Sequence, residues 1–179
     1  ALALTRGSAA QAVAFLATRA DGTVVVDIVD LSANSRMGVH PYFDADWTPI
    51  ALAPVSVVDD TDIAVLAVGP LGRIRVETRS MRTGELRNAF DAFAAGWTPV
   101  SLVAVGNRDG QNAPSLAVLA THDDGRIAAE LFDAGSGAQH GIIDFFNPDW
   151  AVGRMVVVPG TSSDQLAVRR VGTHHDPGE

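Results

Sequence analysis

The sequence predicts an all-β chain built from repeated four-stranded units, and three observations carry that prediction. The tryptophans Trp47, Trp97 and Trp150 are spaced by 50 and then 53 residues, and each follows a phenylalanine four positions earlier, Phe43, Phe93 and Phe146. The segments 12–30, 62–80 and 115–133 align without gaps, with Leu16, Leu66 and Leu119 in register and Gly22, Gly72 and Gly125 likewise. The apolar runs within them are short and bounded by turn residues, which marks strands rather than helices. A period near 50 residues lies in the range of propeller blades, and a repeat of that kind outranks local propensity. Local propensity alone misleads at Ala9 to Ala20, an alanine-rich stretch that reads as a helix in isolation. Its aligned partners, Ile63 to Val68 and Leu116 to Ala120, make it a strand.

The clearest copy of the unit is 97–133. Trp97-Thr98-Pro99 opens it and Val100 to Val105 forms the first strand. A polar loop, Gly106 to Pro114, precedes the second, Leu116 to Ala120. A turn at Asp123-Asp124-Gly125 leads into the third, whose counterparts are Val24–Val29 and Ile74–Thr78. Turns such as Arg82-Thr83-Gly84 and Gly135-Ser136-Gly137 lead to the fourth, which ends at the phenylalanine. Extrapolating back by one period places the first strand of the first unit at Leu2. The units are 1–46, 47–96 and 97–149, followed by a half unit at 150–170 and a turn-rich tail at 171–179. No composition shift divides them, so they form one array of about 3.5 units of ~50 residues.

Strands one and two of each unit are apolar on both faces, as expected for a sheet sandwiched between neighbouring sheets. The third strand of unit two alternates instead, Arg73-Ile74-Arg75-Val76-Glu77, which suits a place nearer the solvent rim.

Composition narrows the function. The 179 residues are 47% hydrophobic and 19% charged, with net charge −8. That acidity argues against a nucleic-acid or anionic-membrane surface, which needs clustered positive charge. All 13 basic residues are Arg, so lysine nucleophiles and Schiff bases are excluded. There is no Cys, which removes disulfides, thiol catalysis and cysteine metal sites. No apolar run approaches the ~20 residues of a helical membrane span. The chain opens at Ala1 inside a strand-like segment, so a processed or excised segment is expected.

The unit resembles the FG-GAP/VCBS class of β-propeller repeats, the broad group that includes integrin-type propellers. The likeness rests on the Trp-Thr-Pro opening, on Asp62-Ile63-Ala64-Val65-Leu66-Ala67, and on the polar loop before Ser115-Leu116-Ala117-Val118-Leu119-Ala120. It covers the chain to about Arg170. Such families often carry a calcium loop ahead of the second strand, and its spacing is matched by Asn107 to Ser115. The resemblance thus makes Asn107, Asp109 and Gln111 the metal candidates. Their chemistry is depleted, because a hard cation wants carboxylates and only Asp109 among them is charged. A polar turn without calcium is the expectation, and no other cofactor is implied.

Other residues offer little. The histidines His40, His122, His140, His174 and His175 show no metal-binding spacing. Gly-x-Ser-x-Gly is absent, and Gly69-Pro70-Leu71-Gly72 is a hairpin turn rather than a phosphate loop, since no helix follows. Asp59-Asp60 and Asp123-Asp124 sit on turns, where Asp bonds to backbone. Trp47, Trp97 and Trp150 have two readings, as sugar-stacking platforms or as packing anchors between blades. Their fixed place beside Phe43, Phe93 and Phe146 favours anchors.

No catalytic residue is assigned, and the resulting expectation is a non-enzymatic binding or scaffolding module of a secreted or cell-surface bacterial protein. A carbohydrate-binding propeller lectin and an enzyme with a site built from propeller loops are the alternatives. Propellers close with about 4–8 blades, so the chain is expected to complete a ring. Either a longer parent chain supplies the rest, or a homodimer of seven blades forms, with the two half units sharing one. A glycan or protein is the expected class of ligand.

Overall fold

A computed structural model of the chain describes residues 2–6, 10–57, 60–106, 114–145, 151–158 and 164–171. Among these residues there are fourteen strands and no α-helix. β1 (Leu2–Arg6), β2 (Ala10–Thr18), β3 (Val24–Asp30) and β4 (Ser35–Phe43) form one sheet. β5 (Thr48–Val57), β6 (Asp60–Val68), β7 (Ile74–Ser80) and β8 (Leu86–Ala92) form the second. β9 (Trp97–Val105), β10 (Ser115–His122), β11 (Ile127–Asp133) and β12 (Gln139–Phe145) form the third. β13 (Ala151–Val158) and β14 (Gln165–Val171) pair as a two-stranded fourth sheet. Every pairing is antiparallel between consecutive strands, so each sheet is a meander.

The local sequence explains the meanders. Gly22 and Gly125 close the hairpins between the second and third strands of their sheets with φ of 88° each, a left-handed geometry that costs glycine nothing. Pro49 and Pro99 lie near the start of β5 and β9, which each pair on one side only. A residue without an N–H is tolerated there. The ladders shift register beside them, between Pro49 and Ala51 and between Leu119 and Ala120.

Burial follows the two-residue alternation. In β6, Ala64 and Leu66 pack toward the third sheet, while Ile63, Val65 and Ala67 pack toward the first; all five are fully buried. The same split recurs in β10, with Leu116 and Val118 on one side and Ala117 and Leu119 on the other. Three hydrophobic layers result, one between each pair of successive sheets. β7 is third in its sheet and β8 is outermost. Its alternating charges are therefore met by neighbours: Arg73 and Arg75 both reach Asp91 of β8, at 2.7 and 3.1 Å, and Arg79 reaches Glu77 at 3.0 Å.

The first and second sheets each grip the next at an equivalent place. His40 of β4 has its Nε2 3.0 Å from the Met81 carbonyl, and its ring fills the space that a side chain on Gly84 would need. Phe90 of β8 takes the corresponding place one sheet on, packing tilted against Phe132 at 4.5 Å over Gly137. Tyr42 donates to the Ile63 carbonyl at 3.0 Å across the same first junction. Burial there pushes its phenol well above the ordinary range.

Candidate functional site

Two places bring polar or aromatic side chains together, one at each end of the strands. At the first end, the second and third sheets each open with a tryptophan. Trp47 stacks on Phe43 at 4.9 Å, and a side chain at Gly69 would overlap the indole. Trp97 packs on Phe93 at 4.6 Å, meets the His122 ring edge-on at 5.0 Å, and lies 5.7 Å from the Arg126 guanidinium carbon. Gly69 and His122 hold the same place in their sheets, so the contact recurs with different chemistry. Phe93 has φ of 52°, and its N–H donates to Glu130 Oε2 of the next sheet at 2.8 Å. That bond offsets part of the strain of a bulky residue in left-handed geometry.

The charges around Trp97 are tied to one another. Asp124 accepts from the Arg126 backbone N–H at 3.0 Å and from its side chain at 2.8 Å, with His122 Nδ1 2.8 Å away. The backbone bond is the leading cause that brings the Asp124 carboxyl down to about 2; desolvation opposes it and ranks next, and His122 and the Arg126 guanidinium lower it further. Trp47 and Trp97 are both half-buried, Trp47 against Phe43 and Trp97 against Phe93, His122 and the Arg126 cation, rather than laid open as flat platforms.

At the opposite end, Ser115 Oγ and His140 Nε2 are 3.2 Å apart. They line a cleft of about 350 Å³ between the third and fourth sheets, with Val105, Leu131, Ile143, Phe145, Asp164, Gln165 and Leu166. Asp164 Oδ2 accepts from the Gly106 N–H at 2.8 Å, pinning β14 to the loop after β9. Asp133, close to His140, is occupied with its own turn. Its Oδ1 accepts from the Ser136 N–H and hydroxyl at 2.7 and 2.8 Å, and these bonds hold its carboxyl below the usual range. The serine–histidine contact therefore stands beside a turn aspartate rather than in line with one. Polar and apolar side chains both line the cleft.

The sequence reading did not single out Ser115 and His140 as a pair. A signal was present: in the aligned repeat they fall on Asp62 and Arg87, whose side chains approach to 3.8 Å in the second sheet. Trp47, Trp97, Phe43 and Phe93 are paired ring to ring as described. Trp150, Phe146, His174 and His175 lie outside the described residues, as do Asn107, Asp109 and Gln111. Among the described residues no group of three or more His, Cys, Asp or Glu side chains is placed to hold a metal ion. No helix among them is long and apolar enough to cross a membrane.

No family model and no curated protein matches the chain. Among solved structures it is similar to a triple arginine-to-alanine mutant of AofleA from Arthrobotrys oligospora, with a TM-score of 0.58 and 15% identity. The alignment covers 96% of this chain and 50% of that one, so this chain spans about half the length of its structural neighbour. At that identity the likeness concerns the fold alone.

Proposed function

We propose that the chain is an arc of FG-GAP/VCBS-like β-propeller blades and acts as a non-enzymatic binding or scaffolding module, exported to the bacterial surface or beyond. The observation that carries this reading is the registered packing between sheets. Successive four-stranded meanders stack face to face through equivalent residues, His40 on Gly84 and Phe90 on Gly137, as blades stack around an axis. The polar clusters support a structural module, since the bonds of Glu130, Asp124, Asp133 and Asp164 fasten backbone or neighbouring turns. Ring closure, by a second copy or by more of a longer chain, belongs to the same reading. Electron microscopy of the assembled particle tests it: sheets arranged radially around a channel are expected, and a closed two-layer sandwich would refute it. Glycan-array binding that Trp97→Ala abolishes without lowering the melting temperature would instead establish the lectin alternative.

A further inference from the structure

The ring of His122 meets groups that make opposite demands on it. Nδ1 lies 2.8 Å from Asp124 Oδ1, an acceptor, yet 3.3 Å from the Asp124 backbone nitrogen and 3.5 Å from Arg126 Nη2, both donors. One ring nitrogen cannot serve both kinds of partner, because it either carries a proton or presents a lone pair. The carboxylate is the nearest of the three, at the length of a charge-assisted hydrogen bond. The proton of the neutral ring therefore sits on Nδ1, which leaves the lone pair on Nε2.

The chain beside the ring keeps Nε2 clear. Gly96 has φ of 89°, and a side chain there would come within 3.0 Å of Nε2 and 3.6 Å of Asp123 Oδ2. Asp123 thus lies on the Nε2 side of the ring, while Asp124 and Arg126 lie on the Nδ1 side. The segment from Phe93 to Gly96, which leads into β9, brings no titratable side chain, and Glu130 is bonded to its Phe93 N–H. The remaining neighbour is Trp97, whose indole the imidazole meets at 5.0 Å and 62°. With 23% of its side chain exposed, His122 touches water and indole at once.

We infer that His122 is a proton-operated switch on the Trp97 contact. Histidine is the side chain whose charge ordinarily changes between about pH 5 and 8. When Nε2 takes up a proton, the ring becomes an imidazolium held by Asp124 at Nδ1, with Asp123 on its other side. The ring contact with Trp97 then becomes a cation–π contact, beside the Arg126 guanidinium already 5.7 Å from the same indole. The turn, with two carboxylates and one guanidinium, passes from one surplus negative charge to none. Trp47 has no such device, because Gly69 and Leu71 stand in the places of His122 and Asp124. Among the described residues, the third sheet alone combines the indole, the imidazole and the carboxylate.

Tryptophan emission of the whole chain, followed from about pH 8 to about pH 5 beside His122→Gln, tests this. A cationic imidazolium quenches an adjacent excited indole. The wild type should therefore lose emission as the pH falls, by no more than the share of Trp97 as one of three tryptophans. His122→Gln should lack that loss, while any effect of the other four histidines is common to both proteins. Two-bond proton–nitrogen spectra of the wild-type histidine rings, with His122 assigned through its own backbone resonances, read the proton directly. Nδ1 protonated and Nε2 bare are expected at the higher pH, and both nitrogens protonated at the lower. Emission that falls equally in the two proteins would overturn the inference. So would a proton on Nε2 rather than Nδ1 at the higher pH, or a His122 ring still neutral at the lower.

Discussion

Replacing Trp97 by alanine removes a half-buried indole that ties the end of one sheet to the start of the next. Its contacts set the size of the loss. Burial of about half the side chain contributes roughly 1–2 kcal/mol. The Phe93 ring at 4.6 Å adds about 0.5–1.5 kcal/mol. The Arg126 cation is itself largely exposed, so its contribution falls near the low end of about 0.5–1 kcal/mol. The total is roughly 2–4 kcal/mol. For a chain of this size each kcal/mol moves the melting temperature by about 2–4 °C, so Trp97→Ala should lower it by roughly 5–15 °C. Thermal unfolding followed by circular dichroism reads this directly. The His122 and Arg126 side chains remain in place in the variant, so lost packing accounts for the drop. A melting curve within a degree or two of wild type would refute the anchor reasoning and leave the indole free for a ligand.

Gly84 has φ of 73° and lies under the His40 ring, so Gly84→Val should cost at least about 1–3 kcal/mol from backbone strain alone, read as a lower denaturant midpoint. Asn34, at φ of 49°, takes the corresponding turn position in the first sheet, so Gly84→Asn should relieve part of the backbone term but not the clash. Adding calcium should leave the melting temperature unchanged, because Asn107, Gln111 and Ser115 lack carboxylates. A chelator-reversible rise approaching the ~4 kcal/mol expected of a tight site at 1,000 times its dissociation constant would show that the loop binds metal. Acid titration should reveal Asp124. Its folded-state value of about 2 lies below the ordinary 3.8, so its contribution is present above pH 3.8 and is lost as pH falls through 2. Asp124→Asn should flatten that part of the profile. Glu77 works in the opposite sense: burial raises its carboxyl, so protonating it at falling pH favours the folded state.

The fold was legible because the repeat fixes faces as well as strands. In Ile63-Ala64-Val65-Leu66 every side chain is apolar, which by itself allows a buried helix. Alignment with Leu116-Ala117-Val118-Leu119 and a period near 50 leaves sheets covered on both sides, and these residues are fully buried in that arrangement. What escaped the sequence is the contact between sheets. His40 and Phe90 occupy one repeat position, yet one is a polar ring that reaches a carbonyl and the other a ring that packs tilted against Phe132. Pattern shows that the position is filled without showing what it meets. Glu130 was equally opaque, since its partner is a backbone N–H 37 residues away that only the stacking of sheets brings near.

The Ser115 and His140 pair shows how a repeat can separate scaffold from chemistry. The same two positions hold Asp62 and Arg87 in the second sheet, and Ala12 and Met37 in the first. One place in the fold thus accommodates oppositely charged side chains, a serine–histidine hydrogen bond and two apolar residues. A catalytic serine would need its histidine at fixed geometry and a third group to orient it, whereas a link beside the third strand needs only two side chains that suit each other. The expected result follows from that difference. Grafting the second-sheet pair into the third, Ser115→Asp together with His140→Arg, should change stability by no more than about 1 kcal/mol, the size of a partly exposed ion pair. Each single change should cost more than the double, because Ser115 is buried and a lone carboxylate there would lack its cation. Chemical denaturation of the four proteins closes the cycle. A double variant as unstable as the sum of the singles would show that the two positions do not act as an interchangeable link, and the structural reading of the pair would fail.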